Sequence, residues 1–230
     1  MAVVDSRIVG QTRSTKIFYA LVRGIVVGIC RSYLRLRVVG LENIPKEGAF
    51  VFAPTHRSTI DIPVASAATR RRMRFMGKDS IWKYKLIGKF MTGLGAFPVT
   101  RGSADLEALK RCIAILNSGE PLVMFPEGTR HYGPEVQPLF DGAAYVALKT
   151  GVSIIPAAIA GTEDVMRSGS KAIRFKKCRM VIGKPIAAEV PGGGRASRPN
   201  DAFCASLGWS VFGGRLAWVW KKFSGCFDQA

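Results

Sequence analysis

Only two of the 230 residues are histidines, and the first, His56, stands five residues ahead of Asp61 in the stretch APTHRSTIDIP, residues 53–63. An imidazole with a carboxylate in reach can act as a general base. The carboxylate fixes one ring nitrogen and steadies the imidazolium that forms when the other nitrogen takes a proton from a hydroxyl. Such a pair needs no protein nucleophile and suits the activation of an alcohol for attack on an acyl group. The spacing alone leaves a second reading open, a structural histidine at a strand end, because a His and an Asp five apart occur by chance in many chains.

Two further stretches contain groups that suit a phosphate. FPEGTR, residues 125–130, follows the apolar PLVM. A glycine just after a strand lets backbone N–H groups come close to a ligand. Arg130 offers a planar fork, and Glu127 is placed to fix that fork or to hold a ligand hydroxyl. GLGAFPVTRG puts Arg101 at the end of another apolar run. Two arginines leaving neighbouring strand ends would make a phosphate clamp, whereas either alone reads equally as a solvated loop residue. His131, directly after Arg130, reads as a loop residue rather than a second base.

The elements that must position these groups are legible as apolar runs. AFVFAP (49–54), MRFMG (73–77), AFPVT (96–100), PLVMFP (121–126), SIIPAAIA (153–160) and CRMVIGKPI (178–186) have the length and continuity of strands buried on both faces. Between them, SADLEALKRCIAILNSG (103–119) predicts a helix, with Ser103 as its cap, Leu106, Leu109, Ile113 and Leu116 as its apolar stripe, and Gly119 as its stop. Residues 79–91 and 141–151 are further helical candidates. The alternation predicts an α/β layered domain. His56 would then sit at the exit of a buried strand, where open α/β sheets bind their ligands. Ser58 and Asp61 fit a Ser-x-x-Asp capping pattern, which Pro63 makes awkward.

The length fits one domain with an appendage. Thirty-four Lys and Arg against sixteen Asp and Glu give a formal charge of +18, which favours a polyanionic partner or surface: nucleic acid, anionic lipid or a phosphorylated substrate. Five widely spaced cysteines without a Cys-x-x-Cys pair argue against a disulfide framework or a zinc site and read as free thiols. In IFYALVRGIVVGICRSYL, residues 17–34, Arg23 breaks the apolar run. This suits an interfacial helix flanked by cations, or a helix buried on the domain, better than a span. Residues 190–201 have linker composition. The aromatic and basic segment after them, with Trp209, Trp218, Trp220, Lys221 and Lys222, suits either a membrane-surface patch or a helix covering the sheet. The organisation expected is an N-terminal interfacial segment (1–36), a catalytic domain (37–190), and a linker with a C-terminal helical segment (191–230).

HRSTID, GAFPVTR, FPEGTR and IIPAAIAGTED occur in the order and approximate spacing of the four blocks of the glycerolipid acyltransferase family. The chain resembles that family, whose best-known members are the 1-acylglycerol-3-phosphate acyltransferases, over roughly residues 35–190. The resemblance implies an α/β layer around a mostly parallel sheet, with an N-terminal helical segment resting on a membrane. It implies His56 as the base that deprotonates a glycerol hydroxyl and Asp61 as its orienting group. Arg101, Glu127, Gly128, Thr129 and Arg130 would bind the glycerol phosphate. Lys78, in FMGKDS, matches a family lysine suited to an oxyanion, or else is a surface lysine at a helix start. Pro156 belongs to the fourth block, whose role the resemblance leaves open. Thr55 replaces a common Asn and Asp79 a common Glu.

The implied reaction moves a fatty acyl chain from acyl-CoA or acyl-carrier protein to the sn-2 hydroxyl of 1-acylglycerol 3-phosphate and gives phosphatidic acid. No metal or tightly bound cofactor is expected. The expected partners are the two substrates and an anionic membrane surface, with acyl-carrier protein as a possible donor and no nucleic acid. The expected location is the cytoplasmic face of a membrane, peripheral or monotopic. Acylation of glycerol 3-phosphate or another lysophospholipid is the alternative within the family. A basic nucleic-acid-binding protein is the alternative outside it, although no RNA-binding or helix-turn-helix pattern stands out.

Overall fold

Phe52 faces one side of a sheet and its neighbours Val51 and Ala53 face the other, and all three are buried. That is the mark of a strand covered on both faces, and it explains why the apolar runs are continuous rather than alternating. The structure, a computed structural model, describes residues 13–99, 106–133, 136–137, 139–166 and 172–188. In chain order its elements are α1 (Arg13–Ser32), β1 (Arg37–Val39), β2 (Val51–Pro54), α2 (Asp61–Ala65), β3 (Arg74–Lys78), α3 (Lys85–Gly93), β4 (Ala96–Val99), α4 (Leu106–Asn117), β5 (Leu122–Val123), α5 (Gly142–Thr150), β6 (Ile154–Ala160), α6 (Thr162–Val165) and β7 (Arg179–Ile182). Short 3-10 turns lie between them.

The seven strands form one sheet in the order β1-β7-β6-β2-β5-β3-β4. β6, β2, β5, β3 and β4 run parallel, β7 runs antiparallel to β6, and β1 is parallel to β7. All six apolar runs become strands. β1 was not foreseen, because three residues with a charged first position carry no periodic signal. The parallel strands end together, which brings the segments after β2, β5 and β6 and the end of β3 to one edge.

The sheet separates two apolar layers. On one face Val27 and Cys30 of α1 and Val64 and Ala65 of α2 pack on Phe50, Phe52, Ile155 and Met180. On the other, Cys112, Ile115 and Leu116 of α4 and Val146 and Ala147 of α5 pack on Val51, Leu122 and Ile154. Each such large side chain taken from water contributes about 1.5–3 kcal/mol. The expected stripe on α4 is rotated: the buried residues are Ala108, Cys112, Ile115 and Leu116, while Leu106 is exposed. Gly119 ends the helix as expected, with φ of 82° and its N–H on Leu116 O. Ser103 lies outside the described residues.

α1 lies against α2 and α3. Arg23, the residue that breaks its apolar run, donates through Nε to the carbonyls of Ser66 (2.9 Å) and Thr69 (2.7 Å), so the cation fastens α1 to the chain beyond α2. No described helix is long and apolar enough to cross a membrane. Cys30, Cys112 and Cys178 are buried free thiols. Burial, with Cys30, Asp61 and Asp164 nearby, pushes the Cys178 thiol up to about 12, far from any nucleophilic role near neutrality. The linker and C-terminal segment predicted for 191–230 lie outside the described residues.

Candidate active site

β2 ends at Pro54, and the next residue is gripped by its neighbour β6. Thr55 N–H donates to Ala157 O (3.0 Å), and the Thr55 hydroxyl receives Ile159 N–H (2.9 Å). Thr55, which stands where an Asn is common, therefore anchors the loop. His56 follows with its imidazole stacked on Phe125, ring centroids 3.9 Å apart and planes 21° apart, so its plane is fixed.

The expected pairing is present: His56 Nδ1 lies 2.9 Å from Asp61 Oδ2. The same oxygen accepts the backbone N–H groups of Arg57 (2.6 Å) and Ser58 (2.7 Å), and Oδ1 accepts the Thr162 hydroxyl (2.6 Å). Asp61 is fully buried. A carboxylate only accepts, so Nδ1 is the donating nitrogen and Nε2 keeps its lone pair for a substrate. The capping pattern is half realised. Asp61 reaches back to Ser58 N–H, but the Ser58 hydroxyl donates to Met166 O (2.9 Å) instead of capping α2. Pro63 fits because it falls in the first turn, where its missing N–H has no intrahelical partner to lose.

The structure turns Glu127 away from the role expected for it. Glu127 is buried and faces neither Arg130 nor open space. Both its oxygens take Nη1 of Arg57, at 2.8 and 2.7 Å, and Oε1 also accepts the backbone N–H of His56 (3.0 Å). Oε2 accepts Gln137 N–H (3.2 Å). Glu127 thus ties the loop after β5 to the loop after β2. Gly128 has φ of 68°, and a Cβ there would lie 2.8 Å from the Phe140 ring. Its N–H is spent on Phe125 O, and that of Thr129 on Glu127 O. The backbone cradle expected for phosphate is therefore used to form the turn. The Thr129 hydroxyl meets His131 Nε2 (3.0 Å), and His131 N–H donates to His56 O, a loop role as expected.

Arg130 is exposed, with Nη1 on the Thr59 hydroxyl (2.6 Å). It lines a cavity of about 550 Å³ together with His56, Thr59 and Lys78. Lys78 closes β3 and is exposed. Behind this polar mouth the wall is largely apolar: Val22 and Val26 of α1, Ile62, Phe75, Met76 and Trp82. Lining residues extend from Met73, just before β3, to Lys78 at its end, roughly 16 Å at the usual rise per strand residue. Gly77 lets the Trp82 indole press against the strand, since a Cβ there would lie 2.9 Å from the ring. Arg101 lies outside the described residues.

Sequence reasoning missed three participants. Arg57 sits inside the HRSTID stretch, but nothing local marks a partner seventy residues away. Thr162 sits at the end of IIPAAIAGTED, where it reads as one more polar loop residue. The contribution of α1 to the cavity wall was hidden because its Val22 and Val26 belong to a run that also suits a lipid surface. Among the described residues no group of His, Cys, Asp and Glu is arranged to hold a metal ion.

Residues 35–160 match the Acyltransferase family model. The chain is 32% identical over 158 residues to the chloroplastic 1-acyl-sn-glycerol-3-phosphate acyltransferase LPAT1 of Arabidopsis thaliana, covering 67% of this chain and 44% of that one. It is 32% identical over 152 residues to the 1-acyl-sn-glycerol-3-phosphate acyltransferase of Bacillus subtilis, covering 66% and 73%. The fold resembles the crystal structure of PlsC, the 1-acyl-sn-glycerophosphate (LPA) acyltransferase from Thermotoga maritima, with a TM-score of 0.61 at 24% identity over 80% of each chain. The matched part is thus less than half of the plant relative and about three quarters of the Bacillus one.

Proposed function

The chain belongs to the acyltransferase family, and from that premise we propose that it transfers a fatty acyl chain from a thioester to the sn-2 hydroxyl of 1-acylglycerol 3-phosphate. His56 Nε2 takes the proton of the hydroxyl while its oxygen bonds to the thioester carbonyl carbon. The C–S bond then breaks, and the imidazolium returns the proton to the departing thiolate, giving phosphatidic acid and the free thiol. Asp61 holds the imidazolium in place. Lys78 faces the carbonyl oxygen as it gains charge. Arg130, with Arg101, takes the phosphate. These roles draw on the chain's own side chains and call for no cofactor.

The observation that carries this reading is the 2.9 Å contact of His56 Nδ1 with Asp61, made at the polar mouth of an apolar cavity. A base beside a hydroxyl site explains the mouth, and a fatty chain explains the wall. Relatives named for this acceptor support the choice over glycerol 3-phosphate. The donor is acyl-CoA or acyl-carrier protein.

The same proposal includes a membrane. Ile17, Leu21, Ile25 and Ile29 make an exposed line along α1, and Leu86, Ile87 and Phe90 of α3 are exposed beside it, joined by the edge-to-face contact of Phe18 and Phe90. Such a face suits an interface helix. The excess of cations suits an anionic cytoplasmic leaflet, so the enzyme is peripheral or monotopic on that face. The test is acyl transfer from palmitoyl-CoA to 1-acylglycerol 3-phosphate in vesicles beside His56→Ala. Product from the wild type and none from the variant, with melting temperature unchanged, is expected. Full turnover by the variant sinks the mechanism.

A further inference from the structure

The fourth sequence block has no assigned chemistry, yet its last residues reach the catalytic pair. β6 ends at Ala160, and Gly161 turns the chain with φ of 83°. A Cβ on Gly161 would collide with the carbonyl of Lys177, so only glycine makes this corner without displacing the 177–178 backbone. The corner opens α6 at Thr162, which is fully buried, and aims its hydroxyl at Asp61 Oδ1, 2.6 Å away.

That contact is unlike the others Asp61 makes. Oδ2 accepts two backbone N–H groups of its own loop besides Nδ1 of His56, whereas Oδ1 accepts from a side chain 101 residues away. The carboxylate is fully buried, so a donor lost at Oδ1 is not replaced at the surface. A second link runs beside the first. Met166 N–H donates to Thr162 O (3.0 Å), and Met166 O accepts the Ser58 hydroxyl (2.9 Å). The β6–α6 corner therefore clasps the histidine loop at Asp61 and at Ser58.

We propose that Thr162 is a positioning residue for the transfer reaction: it holds Oδ1 of Asp61 so that Oδ2 stays aligned on His56 Nδ1. This rests on the reading of His56 and Asp61 as the catalytic pair. A residue acting in this way never touches substrate, so its loss lowers turnover without weakening binding. A threonine that only fills space would tolerate the isosteric valine.

The experiment compares wild type, Thr162→Val, Thr162→Ser and His56→Ala in palmitoyl-CoA-dependent acylation of 1-acylglycerol 3-phosphate, with melting temperatures for all four. The expected result is a fall in kcat of about 10- to 100-fold for Thr162→Val, the range for one lost bond to a buried charge. Both KM values should stay within about twofold, and Thr162→Ser should recover most of the loss. A valine variant with wild-type kcat overturns the proposal. So does a rise in either KM at constant kcat, which would make Thr162 a substrate contact. If the valine variant does not fold, Thr162→Ser alone decides: near-wild-type kcat at near-wild-type KM supports positioning by the hydroxyl, and a large loss of kcat in a protein that melts normally overturns it. Turnover retained by His56→Ala removes the parent reading whatever Thr162 does.

Discussion

Arg57 and Glu127 form a buried ion pair, with side chains 2% and 0% exposed, beside the base but turned away from it. Isolated, either charge would be strongly disfavoured so far from water. Together they also satisfy the His56 backbone: its N–H reaches Glu127 and its carbonyl receives Arg57 Nη1 (3.2 Å). The pair thus sets where the imidazole leaves the strand. Removing one partner takes away the opposite charge that the other, buried group faces. Arg57→Met and Glu127→Gln should each cost about 3–5 kcal/mol of stability, and the double variant should cost much less than the sum. A denaturant double-mutant cycle measures this. Additive losses would mean that the two charges do not meet in solution. The same comparison separates a fastening role for Glu127 from the phosphate role its motif suggests: fastening lowers kcat, whereas phosphate binding raises the acceptor KM.

At the level of elements, α1 has two apolar sides with different duties. Tyr19, Val27 and Cys30 face the domain, whereas Leu21 and Ile25 are 64% and 65% exposed. Deleting the helix would therefore uncover core as well as remove an anchor. Leu21→Asp with Ile25→Asp is the cleaner change. Vesicle co-sedimentation should fall at least about tenfold, since apolar burial at the interface gives way to charge, while the melting temperature stays put. Undiminished sedimentation would move the anchor elsewhere. This helix also marks the limit of what the sequence could tell. The strands were legible because β2 and β6 are buried on both faces and so read as unbroken apolar runs. The His56–Asp61 pair was legible because five residues around one tight loop can close on each other. Arg57–Glu127 and Thr162–Asp61 join positions 70 and 101 residues apart, and such contacts depend on strand order, which no local pattern specifies. The rotation of α4 was missed because leucine, isoleucine and small residues alternate closely enough to offer two faces, and the sheet selects the one with Ala108 and Cys112.

For the whole molecule, the charge of +18 serves the lipid reading and the nucleic-acid one alike. Both predict attraction to a polyanion that weakens with salt, because the screening length shrinks from about 10 Å at 0.1 M to about 3 Å at 1 M. They differ in what remains. A nucleic-acid binder held by phosphate contacts loses nearly all affinity along a steep salt slope. A protein that also inserts an apolar helix face keeps a salt-resistant remainder, because burial of hydrocarbon is not screened. Binding to vesicles with anionic lipid should therefore drop steeply between 0.1 and 1 M salt and level off above zero, and the plateau should disappear in the Leu21→Asp, Ile25→Asp protein. Binding to vesicles of neutral lipid alone should be weak and nearly salt-independent. Duplex DNA should show the slope without the plateau. A plateau on DNA, or vesicle binding that falls to nothing at high salt in the wild type, would count against a helix seated in the interface and leave charge as the whole of the attraction.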